Sequence, residues 1–379
     1  MSDCDVIVAG AGPAGLAAAC LAAFDGWKVV LVTGGISNMD DPRTVALLQP
    51  AIRLLEGVGI SLTNQTAPLR RLRLVDDTGA SFKAPDITFD PHEIGEEVFG
   101  WNVPLALLLP TLRQRALALG VRMIDDRVVG AAVADAMITV KLAGGAVTGR
   151  VALAADGRVS VLREAAGIAT NAWSYDQMAL ATSFAHSQDH DGVSTEYHKA
   201  AGPFTTVPMP GRRSSLVWME RPARVAELMA MADAELAAEI QIATHGALGL
   251  ISVIGPRKAF PMQGLVAREF AKARTLLMGE AGHVVPPIGA QGLNMSLRDA
   301  SDAVEFMRGQ GDPGSGDVLA AYDAARRRDV QPRQQVIDLM NRSLLSGFMP
   351  LEGVRATGIA ALARFGPLRR YVMKRGLGG

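Results

Sequence analysis

Two cysteines, Cys4 and Cys20, are all that the chain contains. No disulfide framework can therefore hold it together, and a reducing cytoplasm is the compartment that fits such usage. Net charge is also absent: 38 Lys and Arg stand against 38 Asp and Glu. That balance removes the electrostatic basis for gripping nucleic acid. A third absence is a membrane span. The longest weakly polar run, IQIATHGALGLISVIGP at 240–256, is short and broken by glutamine, histidine and glycine, so it reads as core strand and turn. The first residues, MSDCDVIVAG, carry acids where an export signal would carry lysine or arginine. Internal repeats and low-complexity tracts are not evident. What is present is a 379-residue chain, 49% hydrophobic, long enough for one large domain or two ordinary ones.

The opening residues read as a βαβ unit: DVIVA (5–9), a helix over AGLAAACLAAF (14–24) and KVVLV (28–32). Such a unit predicts a parallel sheet with right-handed crossovers. The three- and four-residue spacing in TVALLQPAIRLLE predicts a helix over 44–56. Residues 69–90 alternate around Asp76-Asp77-Thr78-Gly79 and read as a hairpin. A helix over 104–120 contains Pro110, which should bend or break it, and VRMID (121–125) returns to strand. From about 176 to 262 the texture becomes strand-like, with one alanine-rich acidic helix near 222–243. This is the candidate for a substrate-facing domain inserted into the first. Strand, loop and helix resume from 275, followed by helices over about 316–344 and a basic tail.

Chemistry enters with VIVAGAGPAGLAAA, where Gly10-x-Gly12-x-x-Gly15 follows a strand and opens a helix through Pro13 and Ala14. In that setting Gly10 permits the tight turn, Gly12 lets a pyrophosphate approach the backbone, and Gly15 lets helix pack closely on strand. The acid expected at the end of the second strand, for ribose hydroxyls, is missing. Thr33 stands there, and a neutral hydroxyl bonds more weakly than a carboxylate. This predicts a more loosely held nucleotide. A second glycine cluster, LLMGEAGHVVPPIGAQGLN (276–294), begins as a buried strand and ends as a helix start.

Between these clusters lies ALAADGRVSVLREAAGI (152–168), with Asp156-Gly157 after a strand and before a helix. Together with DPRTVALL (41–48), FGWNVP (99–104) and the run from KAFPMQGLVA to GLNMSLRDA (258–300), these stretches occur in the order found in a known family. The chain resembles the FAD-dependent aromatic hydroxylases of the p-hydroxybenzoate hydroxylase fold, most closely their ubiquinone-biosynthesis branch. The resemblance implies an α/β fold: a Rossmann-like FAD-binding domain (1–68, 98–175 and 263–330), an inserted β-sheet substrate domain (69–97 with 176–262) and a C-terminal helical tail (331–379).

It also implies roles. Gly10, Gly12, Pro13, Ala14 and Gly15 would face the FAD pyrophosphate, with Thr33 at the ribose end and Arg43 reaching the cofactor from the loop after the second strand. Asp156 and Gly157 would support the pyrophosphate region and are linked to transient NAD(P)H use. Gly279 and Glu280 would approach the ribityl chain. The stretch holding Pro287, Gly289, Gly292, Leu293 and Asn294 would lie along the isoalloxazine, aiming helix N–H groups at a ring that is anionic when reduced. Asn102 is open to two readings, a flavin contact or a helix N-cap. Three positions depart from the pattern: Thr33, Glu280 where the family has aspartate, and Ala290 where it has glycine. If Ala290 must adopt a positive φ, the strain costs about 1 kcal/mol.

The implied reaction is monooxygenation. FAD is reduced by NAD(P)H or another donor, O₂ adds at flavin C(4a) as a hydroperoxide, and one oxygen passes to the aromatic ring of a hydrophobic, polyprenylated ubiquinone precursor. The cofactor carries that chemistry, so the sequence demands no catalytic acid or base. Two alternatives are a flavin-dependent isoprenoid reductase and a non-catalytic accessory protein of a quinone-biosynthesis complex, the latter motivated by the three departures. His283 reads as a structural histidine rather than a general base. His186, Asp189, His190 and His198 read as a solvated hairpin tip rather than a metal site. The tail carries Arg355, Arg364, Arg369, Arg370, Lys374 and Arg375 among apolar residues. It suits peripheral contact with the inner face of an anionic membrane, or equally a helix packed on the body with a solvated rim.

Overall fold

A computed structural model describes residues 3–35, 41, 43–80, 83–345 and 349–377. The β-branched run Val6–Ala9 is buried on both faces, as the centre of a parallel sheet requires. It pairs in parallel with Val29–Val32 on one side and Val151–Ala154 on the other. Outward from these lie Arg122–Ile124 and Thr275–Leu277, and the antiparallel Ala271–Lys272 ends the sheet. Helices Pro13–Phe24, Leu105–Ala118 and Gln291–Met307 cover one face through a core that includes Leu16, Leu108 and Met295. A three-stranded antiparallel layer (Val128–Ala134, Met137–Leu142, Gly145–Gly149) covers the other.

A second sheet, nine-stranded among the described residues, is built around the long strand Thr170–His186 and its neighbours Lys258–Ala267 and Arg213–Glu220. The hairpin expected over 69–90 supplies two of its strands, Arg71–Asp76 and Ile87–Phe89. The two sheets meet where the second glycine cluster lies. Thr275–Leu277 belongs to the first sheet, and His283–Val284 pairs with Val266 and Leu265 of the second. The turn between them crosses from one sheet to the other. The fold is thus the expected α/β class, a mostly parallel sheet joined to a mostly antiparallel one, with helices closing the chain.

Three local expectations are corrected. Residues 44–56 are a strand, Thr44–Leu48, followed by a helix, Gln49–Gly57. The strand exists because Ala46 pairs with Asn102 and Leu47 with Trp101, partners distant in sequence. Of the two effects expected of Pro110, the break is absent, since the helix Leu105–Ala118 is continuous through it. Pro110 and Ala106 are both exposed, so water can satisfy the carbonyl that proline fails to bond. The acidic helix near 222–243 is two helices, Pro222–Ala230 and Asp233–Ala243. Arg257 enforces the break, donating to the carbonyls of Leu228 and Met231 and pairing with Asp233.

The tail forms two helices, Met349–Arg364 and Gly366–Leu377. Ala356 and Ile359 pack against Ala84 and Ile87, while Met373 and Leu377 pack against Leu48, Leu69 and Phe99. Arg369 makes a bidentate ion pair with Glu93. The side chain of Arg355, one of the six basic residues counted above, lies outside the described residues.

Candidate functional site

The first glycine turn has the geometry its spacing predicts. Gly10 sits at φ +103°, where a Cβ would lie 2.2 Å from the Ala155 carbonyl oxygen. A Cβ at Gly15 would lie 1.9 Å from the carbonyl oxygen of Gly10. Gly12 differs from both, at φ −71° with nothing within 4 Å of a Cβ position. It is the N-cap of helix Pro13–Phe24, which has no side-chain cap and no acid in its first turn. Its first turn therefore presents a positive dipole end that no side-chain cap or first-turn acid neutralises among the described residues.

The second cluster reaches the same place. A Cβ on Gly279 would stand 3.4 Å from the Ala14 methyl carbon. Beyond it, buried Ile288 alternates with exposed Pro287 and Gly289, and helix Gln291–Met307 begins. Its N-cap is Ala290 at φ +57°, the left-handed conformation in which alanine is strained, and it too has no side-chain cap and no first-turn acid. Among the described residues, nothing beyond the neighbouring backbone lies within 4 Å of a Cβ at either Gly289 or Gly292. Leu293 packs on the main core.

Two asparagines brace this wall. The Asn294 side chain accepts from the Leu48 amide at 2.9 Å and donates to the carbonyls of Ala46 at 2.8 Å and Ala290 at 2.6 Å. Those bonds hold the left-handed turn against strand Thr44–Leu48. Asn102 is not a helix N-cap, because Pro104 occupies that position and Asn102 lies in strand Gly100–Pro104. Its amide donates to the Pro208 carbonyl at 2.8 Å and the Ser215 hydroxyl at 3.1 Å, and its carbonyl oxygen is buried without a partner.

A ring of charge joins the loops. Asp156 accepts from the Ser160 hydroxyl and the Leu162 amide, fixing the turn into helix Val161–Ala165, and Gly157 follows at φ +83°. Arg158, next in sequence, reaches the Glu280 carboxylate at 3.6 Å, and Arg163 donates to the Ala281 carbonyl at 2.9 Å. Arg43 lies 5.6 Å above the Phe260 ring and is held by Asp41, which raises its pKa further, with Glu280 adding to the effect. Burial pushes the Asp41 carboxyl up, but its bonds to Arg43 more than offset this and leave it below the usual range.

Thr33 turns elsewhere. It is buried, and its hydroxyl donates to Asp125 Oδ1 at 2.7 Å. His283 is also buried, with Nε2 2.7 Å from Asp299. Asp299 accepts in addition from the Gly279 amide at 2.8 Å and from Arg326 at 2.7 Å. This places His283 among the bonds that hold the Gly279 turn. His186 bonds Ser214 and Gln188, His190 bonds Met209, and His198 bonds Glu196. Among the described residues no group of three His, Cys, Asp or Glu could hold a metal ion. Sequence reasoning gave no role to Asp125, Arg158 and Asp299, which bond to Thr33, Glu280 and the Gly279 amide. The one available signal was Asp125 as the last residue of VRMID, an acid ending a parallel strand.

The family described as FAD binding domain matches residues 3–336. The chain is 32% identical to ubiquinone hydroxylase of Rhodospirillum rubrum, covering 99% of this chain and 89% of that one. It is 28% identical to 3-demethoxyubiquinol 3-hydroxylase of Escherichia coli, covering 99% and 98%. Among solved structures, p-nitrophenol 4-monooxygenase from Pseudomonas putida superposes with a TM-score of 0.78 at 18% identity, covering 99% and 98%. That last likeness shows the shared fold.

Proposed function

The chain belongs to the FAD binding domain family, and from that premise we propose that it hydroxylates the aromatic ring of a polyprenylated ubiquinone precursor. It is an FAD-dependent monooxygenase of ubiquinone biosynthesis, like relatives that match it over nearly their whole lengths. The observation that carries the site assignment is the pair of helix N-termini without first-turn acids or side-chain caps. Among the described residues the Cβ positions at Gly12, Gly289 and Gly292 are open, and Gly279 packs against Ala14 between them in the site. Such a surface suits an anionic cofactor with a flat ring. When bound, reduced FAD would supply two electrons to activate O₂, one atom of which goes to the substrate ring and the other to water.

The chain's residues do the rest. Gly10, Gly12, Pro13, Ala14 and Gly15 receive the pyrophosphate. Arg43, Asp156, Gly157, Gly279 and Glu280 would hold the middle of the cofactor, with Arg158 paired to Glu280. Pro287, Gly289, Gly292 and Leu293 would line the place of the ring system, where the helix N-terminus would stabilise negative charge. Asn294 and Asn102 hold the strand and turn behind it. Phe260, Val217 and Val285, partly buried over an apolar cluster that includes Met219, Met262 and Ile288, supply a dry surface for an aromatic substrate. We assign residues 69–97 and 176–262 to the substrate side, residues 1–68, 98–175 and 263–330 to the cofactor side, and 331–379 to the closing helices. NAD(P)H is the proposed reductant, and a quinone-biosynthesis complex at the inner face of the membrane is the proposed setting.

The test is direct. Purified protein should release FAD on denaturation, and NADH or NADPH oxidation should consume O₂ and yield a hydroxylated ring when a demethoxylated quinol precursor is supplied. Flavin-free protein would remove the cofactor assignment. Flavin-bound protein that reduces an isoprenoid double bond instead would remove the hydroxylase assignment.

A further inference from the structure

The position at which a dinucleotide fold places its ribose-binding acid, the end of the second parallel strand, carries Thr33 here. The neighbouring parallel strand, Arg122–Ile124, ends beside it, and Asp125 is the next residue. The two chain ends are stitched together. The Thr33 amide donates to the Ile124 carbonyl at 2.9 Å and the Gly34 amide to the Asp126 carbonyl at 3.0 Å. Asp125 Oδ1 accepts from the Thr33 hydroxyl at 2.7 Å and from the Gly35 amide at 3.1 Å. Thr33 is buried whereas Asp125 is exposed, so the carboxylate stands in solvent at the carboxyl edge of the sheet, held by two donors on its inner oxygen.

Ligands of open parallel sheets bind outside the carboxyl ends of the strands. We infer that Asp125 is the adenosine-ribose acceptor of this chain, the acid having been moved one strand across the sheet, with Thr33 acting as its anchor. Three features support this. A carboxylate accepts from ribose hydroxyls more strongly than threonine does. The Thr33 hydroxyl already spends its proton on Asp125, so it cannot donate to a ribose. Two donors fix Oδ1 and thereby preorient Oδ2, which lowers the entropy lost when a ligand binds. The nucleotide end is therefore not short of a carboxylate, and the looser binding expected from Thr33 alone does not follow.

The inference rests on the FAD assignment above, and one set of titrations separates the two. Full-length protein stripped of flavin is titrated with FAD, and with an FAD analogue whose adenosine is 2′,3′-dideoxy, following quenching of flavin fluorescence. Wild-type protein should bind FAD about 10- to 100-fold more tightly than the analogue, the range for a hydrogen bond to a charged group. Asp125→Asn should lose most of that preference by weakening FAD while leaving the analogue nearly unchanged. Equal affinity of the wild type for both ligands would overturn the proposal without any variant being needed. So would an Asp125→Asn protein that weakens both ligands alike, since that marks a bracing role for the loop. Wild-type protein that binds neither ligand would instead remove the FAD assignment.

Discussion

At the scale of single residues, three glycines of one turn do two separable jobs. Gly10 and Gly15 are enclosed by backbone, so any side chain there collides with the Ala155 or Gly10 carbonyl and damages the fold itself. Gly12 faces empty space at an ordinary φ. A valine there should leave the apoprotein folded and place a branched side chain where the pyrophosphate must approach. Gly12→Val protein is therefore expected to keep a cooperative unfolding transition and a native circular dichroism spectrum while its FAD content collapses. Full flavin occupancy in that variant would show that the phosphates lie elsewhere. The other unusual residue, Ala290, does adopt the left-handed geometry for which the sequence raised a cost of about 1 kcal/mol. Asn294, bonded to the Ala290 carbonyl and to strand Thr44–Leu48, holds that strained turn in place. Glu280, one methylene longer than aspartate, pairs with Arg158 at 3.6 Å.

At the scale of elements, local pattern revealed whatever was local. The βαβ opening, the glycine turns and the crossing stretch at 276–294 depend on neighbours in sequence, and they were legible. The strand Thr44–Leu48, the break before Asp233 and the acid at Asp125 depend on Gly100–Pro104, Arg257 and a neighbouring strand, none of them near in sequence. The same distance hid the buried charge network that ties helix Gln291–Met307 to helix Gly316–Leu345. Arg326 pairs with Asp299, Asp302 and Asp329, and Asp329 also takes Arg298 and Arg333. Burial pushes Asp329 up, but Arg298 and its companions more than offset this and hold it at about 2, below the ordinary 3.8. A carboxyl depressed on folding contributes stability above its unfolded pKa and loses it as pH falls through the folded value. The size is about 2 kcal/mol, present above pH ~4 and lost towards pH ~2. Burial raises Asp302, which runs in the opposite sense and offsets a part of this. Asp329→Asn should therefore lower the urea midpoint at pH 7, and its gap from wild type should narrow steadily below pH 4. A gap of constant width down to pH 3 would mean that Asp329 is not ionised through this pairing.

At the scale of the whole molecule, the tail packs on the body on one side, and its other side is where membrane contact, the second role its sequence allowed, is to be tested. Its inner side is packed: Ile359 joins Ala84 and Ile87, Met373 and Leu377 join Leu48 and Leu69, and Arg369 is held by Glu93. The Gln291 side chain, at the start of the helix proposed to face the flavin, donates to the Gly376 carbonyl at 3.3 Å. The outer side presents Phe365, Leu368, Tyr371 and Val372, 59%, 37%, 58% and 40% exposed, beside Arg364, Arg370, Lys374 and Arg375. Among the described residues no helix is long and apolar enough to cross a membrane. An apolar patch ringed by cations can instead rest on an anionic leaflet, each cation contributing about 1 kcal/mol near the surface. That would bring an enzyme for a polyprenylated ring to the bilayer in which its substrate dissolves. Removing the tail would be a poor test, since it would strip cover from Leu48, Leu69 and Phe99 and release Gln291. Changing only its outer face is better. Wild-type protein should co-sediment with phosphatidylserine-containing vesicles at low salt and detach at high salt, where exposed charges are screened. The combined variant Phe365→Ser, Tyr371→Ser, Lys374→Glu and Arg375→Glu should remain in the supernatant with its FAD content intact. Equal sedimentation of the two proteins, or none by either, would leave the outer face without a membrane role.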